Sequence, residues 1–144
     1  MFRNGFYGRC MSLRGMATVN YFAADWTAAR DWYTQVTGIE PYFLREGYAE
    51  WRLGDHEAEL GLIDSRFRAP NTPAGPVGAV LYWHVDDVEA ELARLLELGA
   101  TLHEAPQDRG RGFITATVLD PFGNLLGIMV NPHYAELVAQ ASAG

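Results

Sequence analysis

Lysine is missing from this chain: all 11 basic residues are arginines. The formal net charge is −7. A chain with that balance is a poor partner for nucleic acid, because phosphate binding draws on clustered cations. Cysteine is almost as scarce. Cys10 stands alone, so no intrachain disulfide and no cysteine-rich zinc module can form, and a reducing compartment fits. Long apolar runs are lacking too. None approaches the roughly 20 residues that cross a bilayer, and residues 1–15 hold no continuous apolar block of the signal-peptide kind. The sequence therefore predicts a cytoplasmic protein with no nucleic-acid and no membrane partner.

The 144 residues suit one domain, or two small repeated halves sharing a core. Residues 1–15 contain Arg3, Arg9 and Arg14 and no acid, follow no period, and read as an irregular arm. Ala17 to Ala23 has strand character, with Thr18, Asn20 and Phe22 on one face. Asp25 is a good helix cap, Ala29, Trp32, Tyr33 and Val36 recur at helical spacing, and Gly38 supplies the stop. Tyr48 to Leu53 and Glu57 to Ile63 read as two strands joined at Gly54-Asp55. Residues 64–76, with Pro70, Pro73 and Pro76, have linker composition. Gly78 to Val85 resumes as a strand. Asp86 or Asp87 then caps a helix whose Val88, Leu92, Leu95 and Leu96 share one face until Gly99. Thr101 to His103 reads as a short strand, residues 106–112 as a loop, Phe113 to Leu119 as a strand, and residues 133–143 as a short helical tail.

Asp120-Pro121-Phe122-Gly123-Asn124 is a turn signal, since proline fixes φ while glycine and asparagine tolerate the return geometry. It feeds the apolar run Leu125 to Val130, which Pro132 stops. Asp25 to Gly38 and Asp86 to Gly99 each run from helix cap to helix stop over the same interval of 13 positions. Each cap follows an apolar strand and each stop precedes further strands, so the chain reads as two copies of one unit. The expected fold is α+β: two tandem βαβββ modules, about 17–64 and 77–131, joined by the proline-rich linker. Together they form a cupped mixed β-sheet with helices outside, within one domain over residues 16–144.

This duplicated unit, with its Asp-Pro-x-Gly-Asn turn, resembles the vicinal oxygen chelate superfamily of glyoxalases, bleomycin-resistance proteins and extradiol dioxygenases over residues 17–131. One fold hosts unrelated chemistries, so the resemblance speaks to architecture before activity. It implies four metal-ligand positions, which fall here on Thr18, Glu59, Val80 and Gly127. Only Glu59 offers a good divalent-metal donor, and such a metal needs about three or four. The expectation is therefore no metal and no cofactor. Strand parity sends Thr18, Asn20, Phe22, Glu57, Glu59, Tyr82, His84 and Gly127 toward the cup as ligand-binding candidates. Glu59 is the candidate catalytic residue, either a general base or a ligand-binding carboxylate, or else a surface acid paired with Arg52 or Arg111. Trp51 has two possible directions.

Three functions follow as expectations. The first is a metal-independent binder of the bleomycin-resistance type, holding a small organic ligand, aromatic or cationic. The second is a lyase, isomerase or dioxygenase-like enzyme using Glu59 as base or as the sole retained ligand of an unusual metal site. The third is a structural or regulatory dimer. The resemblance also implies a homodimer.

Overall fold

Alternation along strand β1 (Thr18–Ala23) buries Tyr21 and Ala23 and leaves Thr18 and Asn20 on the opposite, open face. The computed structural model describes residues 12–143. Cys10 and most of the expected N-terminal arm lie outside these. Asp25 caps helix α1 (Trp26–Thr37), its carboxylate accepting the Ala28 N–H at 3.2 Å, and Gly38 closes the helix in the left-handed region at φ 79°. Strands β2 (Phe43–Arg45), β3 (Tyr48–Leu53) and β4 (Ala58–Asp64) complete the first unit, in the order β1-β4-β3-β2 with β1 parallel to β4.

The second unit repeats the plan with β5 (Tyr82–His84), α2 (Val88–Glu97), β6 (Thr101–Gly110), β7 (Phe113–Leu119) and β8 (Leu125–Val130), in the order β5-β8-β7-β6. Asp87 accepts the Ala90 N–H at 3.0 Å and so is the α2 cap. A terminal helix α3 (Pro132–Ala143) follows. The described residues thus form two four-stranded mixed sheets and three helices, the α+β architecture of tandem βαβββ modules expected from the sequence.

Several boundaries differ from expectation. Glu57 is not in β4: it closes the preceding turn at φ 51°, its N–H donating to Gly54 O at 3.2 Å. Strand β5 is only three residues long, so Val80 precedes it. Residues 101–110 form one long strand instead of a short strand and a loop. Pro106 fits there because β6 is an edge strand whose register shifts three times along β7. Leu96, expected on the buried face of α2, is 39 % exposed. Among the described residues no helix is long and apolar enough to cross a membrane.

Both major helices lie on the same side of the sheets and share one core. Trp51 is wholly buried on that side, its indole N–H donating to Ile39 O at 3.1 Å, so it does not line the open face. Trp32 Nε1 donates to Leu98 O at 2.7 Å, and the Arg94 guanidinium donates to Gln35 O at 3.0 Å and Val36 O at 2.9 Å. Across the same seam Tyr21 Oη donates to Leu125 O at 3.4 Å.

Burial pushes the Tyr21 phenol up to about 12 from its usual 10.0; the nearby Trp83 indole lowers it in part and the Asp120 charge raises it. Tyr33 moves in the same direction, chiefly through burial. Both phenols hold their protons more tightly folded than unfolded. Their contribution to stability is complete below pH 10 and is lost as pH rises through the Tyr21 value. Alkaline titration of unfolding is expected to show stability falling from about pH 10 toward pH 12, with a shallower slope in Tyr21→Phe. An unchanged slope would contradict this origin.

Candidate functional site

Strand register fixes which side chains share each open face. In the first sheet Thr18 lies opposite Glu59, Asn20 opposite Gly61, and Phe22 opposite Ile63. On β3, Arg52 pairs with Glu59 and Glu50 with Gly61. In the second sheet Tyr82 lies opposite Gly127 and His84 opposite Met129. Gly61 and Gly127 therefore occupy corresponding places, each opposite a side chain of the first strand. A Cβ at Gly61 would stand 2.1 Å from Asn20 Oδ1, and one at Gly127 would stand 2.6 Å from Tyr82 Cδ1. The absence of a side chain lets the first-strand residue lie across the last strand. The counterpart of Gly127 is Gly61, not Glu59, which sits two residues earlier.

The expected ligand-binding residues divide between two cavities. Glu59, Tyr82 and His84 meet in a cleft of about 240 Å³ at the seam, together with Asp55, His56 and Tyr134. Asn20 and Phe22 line a separate cavity of about 390 Å³ under the linker. Thr18, Glu57 and Gly127 line neither. The reason is the position of β1 and β5 at the sheet edges that face the seam. Spaces there open beside a strand, and strand parity alone does not choose among them.

Helix α3 supplies the cleft with a residue that the sequence did not single out. The Tyr134 ring stacks on His84 with centroids 4.6 Å apart, meets His56 edge-on at 5.4 Å, and its Oη donates to Asp55 Oδ2 at 2.9 Å. One aromatic side chain thus joins the terminal helix, the second sheet and the β3–β4 turn. His84 Nδ1 accepts the Asn131 N–H at 3.1 Å, so the neutral ring carries its proton on Nε2. Glu59 forms an ion pair with Arg52 at 3.2 Å, and its side chain is 32 % exposed.

A second carboxylate, Glu50, which the sequence pattern does not single out, stands on the same open face. The phenols of Tyr42 and Tyr48 both donate to it, which holds the Glu50 carboxyl below its ordinary range. The signal was present in β3, where Tyr48, Glu50 and Arg52 alternate with the buried Ala49 and Trp51. Trp51 identifies the core face, and the other set must then be open.

The residues do not fit a catalytic metal of the usual kind. At Thr18 the hydroxyl donates to Glu59 O at 3.2 Å, while valine at 80 and glycine at 61 and 127 offer no side-chain donor. Among the described residues no three His, Cys, Asp or Glu side chains converge on a common point.

Two βαβββ units with their helices on one side, open sheet faces on the other and cavities at the seam define a class of duplicated α+β proteins. The chain belongs to the Glyoxalase/Bleomycin resistance protein/Dioxygenase superfamily, whose family model matches residues 15–128. Its fold is similar to that of a glyoxalase-related enzyme from Fulvimarina pelagi (20% identity, TM-score 0.68, covering 83% of this chain and 90% of that one). It is also similar to a lactoylglutathione lyase from Agrobacterium tumefaciens (21%, TM-score 0.63, covering 83% and 96%). A third similar fold is protein ATC0852 from Agrobacterium tumefaciens (18%, TM-score 0.69, covering 81% and 97%). At these identities the likeness concerns the fold alone. No curated protein matches.

Proposed function

We propose that the protein is a metal-independent binder of a small aromatic cation, held in the seam cleft, and that it works as a homodimer. One observation carries the reading. Asp55 and Glu59 stand in a cleft ringed by His56, Tyr82, His84 and Tyr134; Arg52 pairs with Glu59 from outside the lining, and Asp55 has no cationic partner among the described residues. Aromatic faces and carboxylates both attract a cation, and an aromatic body gains from stacking. A volume of about 240 Å³ suits a single ring with a short substituent.

Benzyltrimethylammonium is expected to raise the unfolding temperature saturably without being converted, by the mass-action gain of a ligand that binds only the folded chain. Asp55→Asn with Glu59→Gln is expected to abolish that shift. The substitutions cost little folding stability, since the Arg52–Glu59 pair is exposed and worth at most about 1 kcal/mol. A full shift in the double variant would refute the assignment to this cleft. The enzyme reading asks Glu59 to be a free, desolvated base, and its partial exposure and pairing with Arg52 favour binding instead.

A further inference from the structure

Arg14, Arg45, Arg68 and Arg111 make no ion pair among the described residues, and of these four only Arg68 is withdrawn from solvent. Arg68 is a half-buried residue whose guanidinium carries five N–H donors, and no described residue accepts from its side chain. Residues 1–11 contain no acidic side chain. The guanidinium carbon instead sits 5.0 Å from the centroid of the Phe22 ring.

Arg68 lines the cavity of about 390 Å³ that follows the open edge of β1. Residues 19–22 form one wall, and Pro73, Pro76, Val77 and Val80 of the linker form the other. No Asp or Glu lines it. Asn124 lines it too, but its amide N–H groups already donate to Phe22 O and Asp120 Oδ2, both at 3.0 Å. Asn20 Nδ2 makes no hydrogen bond among the described residues. Among the described residues the cavity therefore combines apolar walls with one guanidinium and one amide that donate to no protein acceptor, the opposite charge character to the seam cleft.

We propose that this cavity is a second ligand site, for a small organic carboxylate with an apolar or aromatic body. A guanidinium fork matches both carboxylate oxygens, and the Phe22 ring beside it attracts the cation and holds it at the cavity wall. Asn20 adds a neutral donor, and the proline-rich wall takes the apolar body. A single fixed cation, with no helix amino terminus or second arginine beside it, suits one negative charge.

The test titrates the full chain calorimetrically with benzoate, phenylacetate and 4-phenylbutyrate, and with the corresponding amides. At least one acid is expected to bind saturably, and its amide about tenfold or more weakly, because the charge-assisted hydrogen bonds are lost. Arg68→Gln is expected to weaken the acid by a similar factor while leaving benzyltrimethylammonium binding unchanged. Failure of all three acids, equal affinity for acid and amide, or undiminished affinity in a folded Arg68→Gln chain would overturn the proposal. Should that variant fail to fold, the contrast between acid and amide on the unaltered protein decides.

Discussion

Replacing Asp120 with alanine is expected to cost about 3–5 kcal/mol of unfolding free energy, because it strips several buried donors of their common acceptor. Asp120 is 4 % exposed. Its Oδ1 accepts the backbone N–H groups of Phe122 and Asn124, both at 2.8 Å, while Oδ2 accepts the Asn124 side-chain amide at 3.0 Å and the Tyr33 hydroxyl. Two of these bonds shape the turn. The Tyr33 bond ties it to α1 of the first unit, and Asn124 reaches back to Phe22 O on β1 at 3.0 Å. Each donor left unsatisfied costs about 1–3 kcal/mol, less what relaxation and entering water recover. Asp120→Asn keeps the shape but turns an N–H₂ group toward donors, so about half the loss is expected from it. Urea unfolding with an unchanged m-value measures both. A loss below about 1 kcal/mol in Asp120→Ala would reduce the turn to a connector.

Asp-Pro-Phe-Gly-Asn signalled the family in the sequence, and in the structure it is the clamp between the two units. That role was hidden, since Tyr33 and Phe22 lie far from the turn along the chain. What was legible was local: cap and stop of both helices, the alternation of β3 and β7, and the equal spacing that reveals duplication. Strand β6 was not, because Pro106 and three register shifts erase its period. The candidate site was legible only in pieces. Parity sends Asn20 and Phe22, with Tyr82 and His84, toward one cup. It could not show that spaces beside β1 and β5 would assign these pairs to different cavities. Nor could it bring Tyr134 to His84 and His56, a meeting made by the return of α3 across the seam. Glu59 is the lone acid at a position the resemblance implies for a ligand, whereas the register makes Gly61, two residues on, the counterpart of Gly127.

That correspondence separates two substitutions that look alike on paper. Gly127→Ala is expected to destabilise by about 3 kcal/mol, the upper part of the usual range for overpacking. Its Cβ would stand 2.8 Å from Leu81 O and within 2.9 Å of two Tyr82 ring atoms. The backbone cannot withdraw, because Gly127 N–H donates to that same Leu81 O at 2.9 Å and holds β8 to the segment entering β5. The Leu81 carbonyl is backbone and cannot rotate aside as the end of a side chain can. At Gly61 the nearest obstacle is Asn20 Oδ1, the end of an exposed side chain that rotates away for about 0.5–1 kcal/mol. Alanine also removes backbone freedom from the unfolded chain, worth about 0.4–1 kcal/mol in the other direction. Gly61→Ala is therefore expected within about 1 kcal/mol of the parent chain, with Gly127→Ala clearly below it in parallel denaturation curves. Equal losses at both positions would show that the Tyr82 ring moves as freely as the Asn20 amide. With Gly127 fixed by packing, any larger side chain introduced there meets the same clash, and the loss is expected to be at least that of alanine.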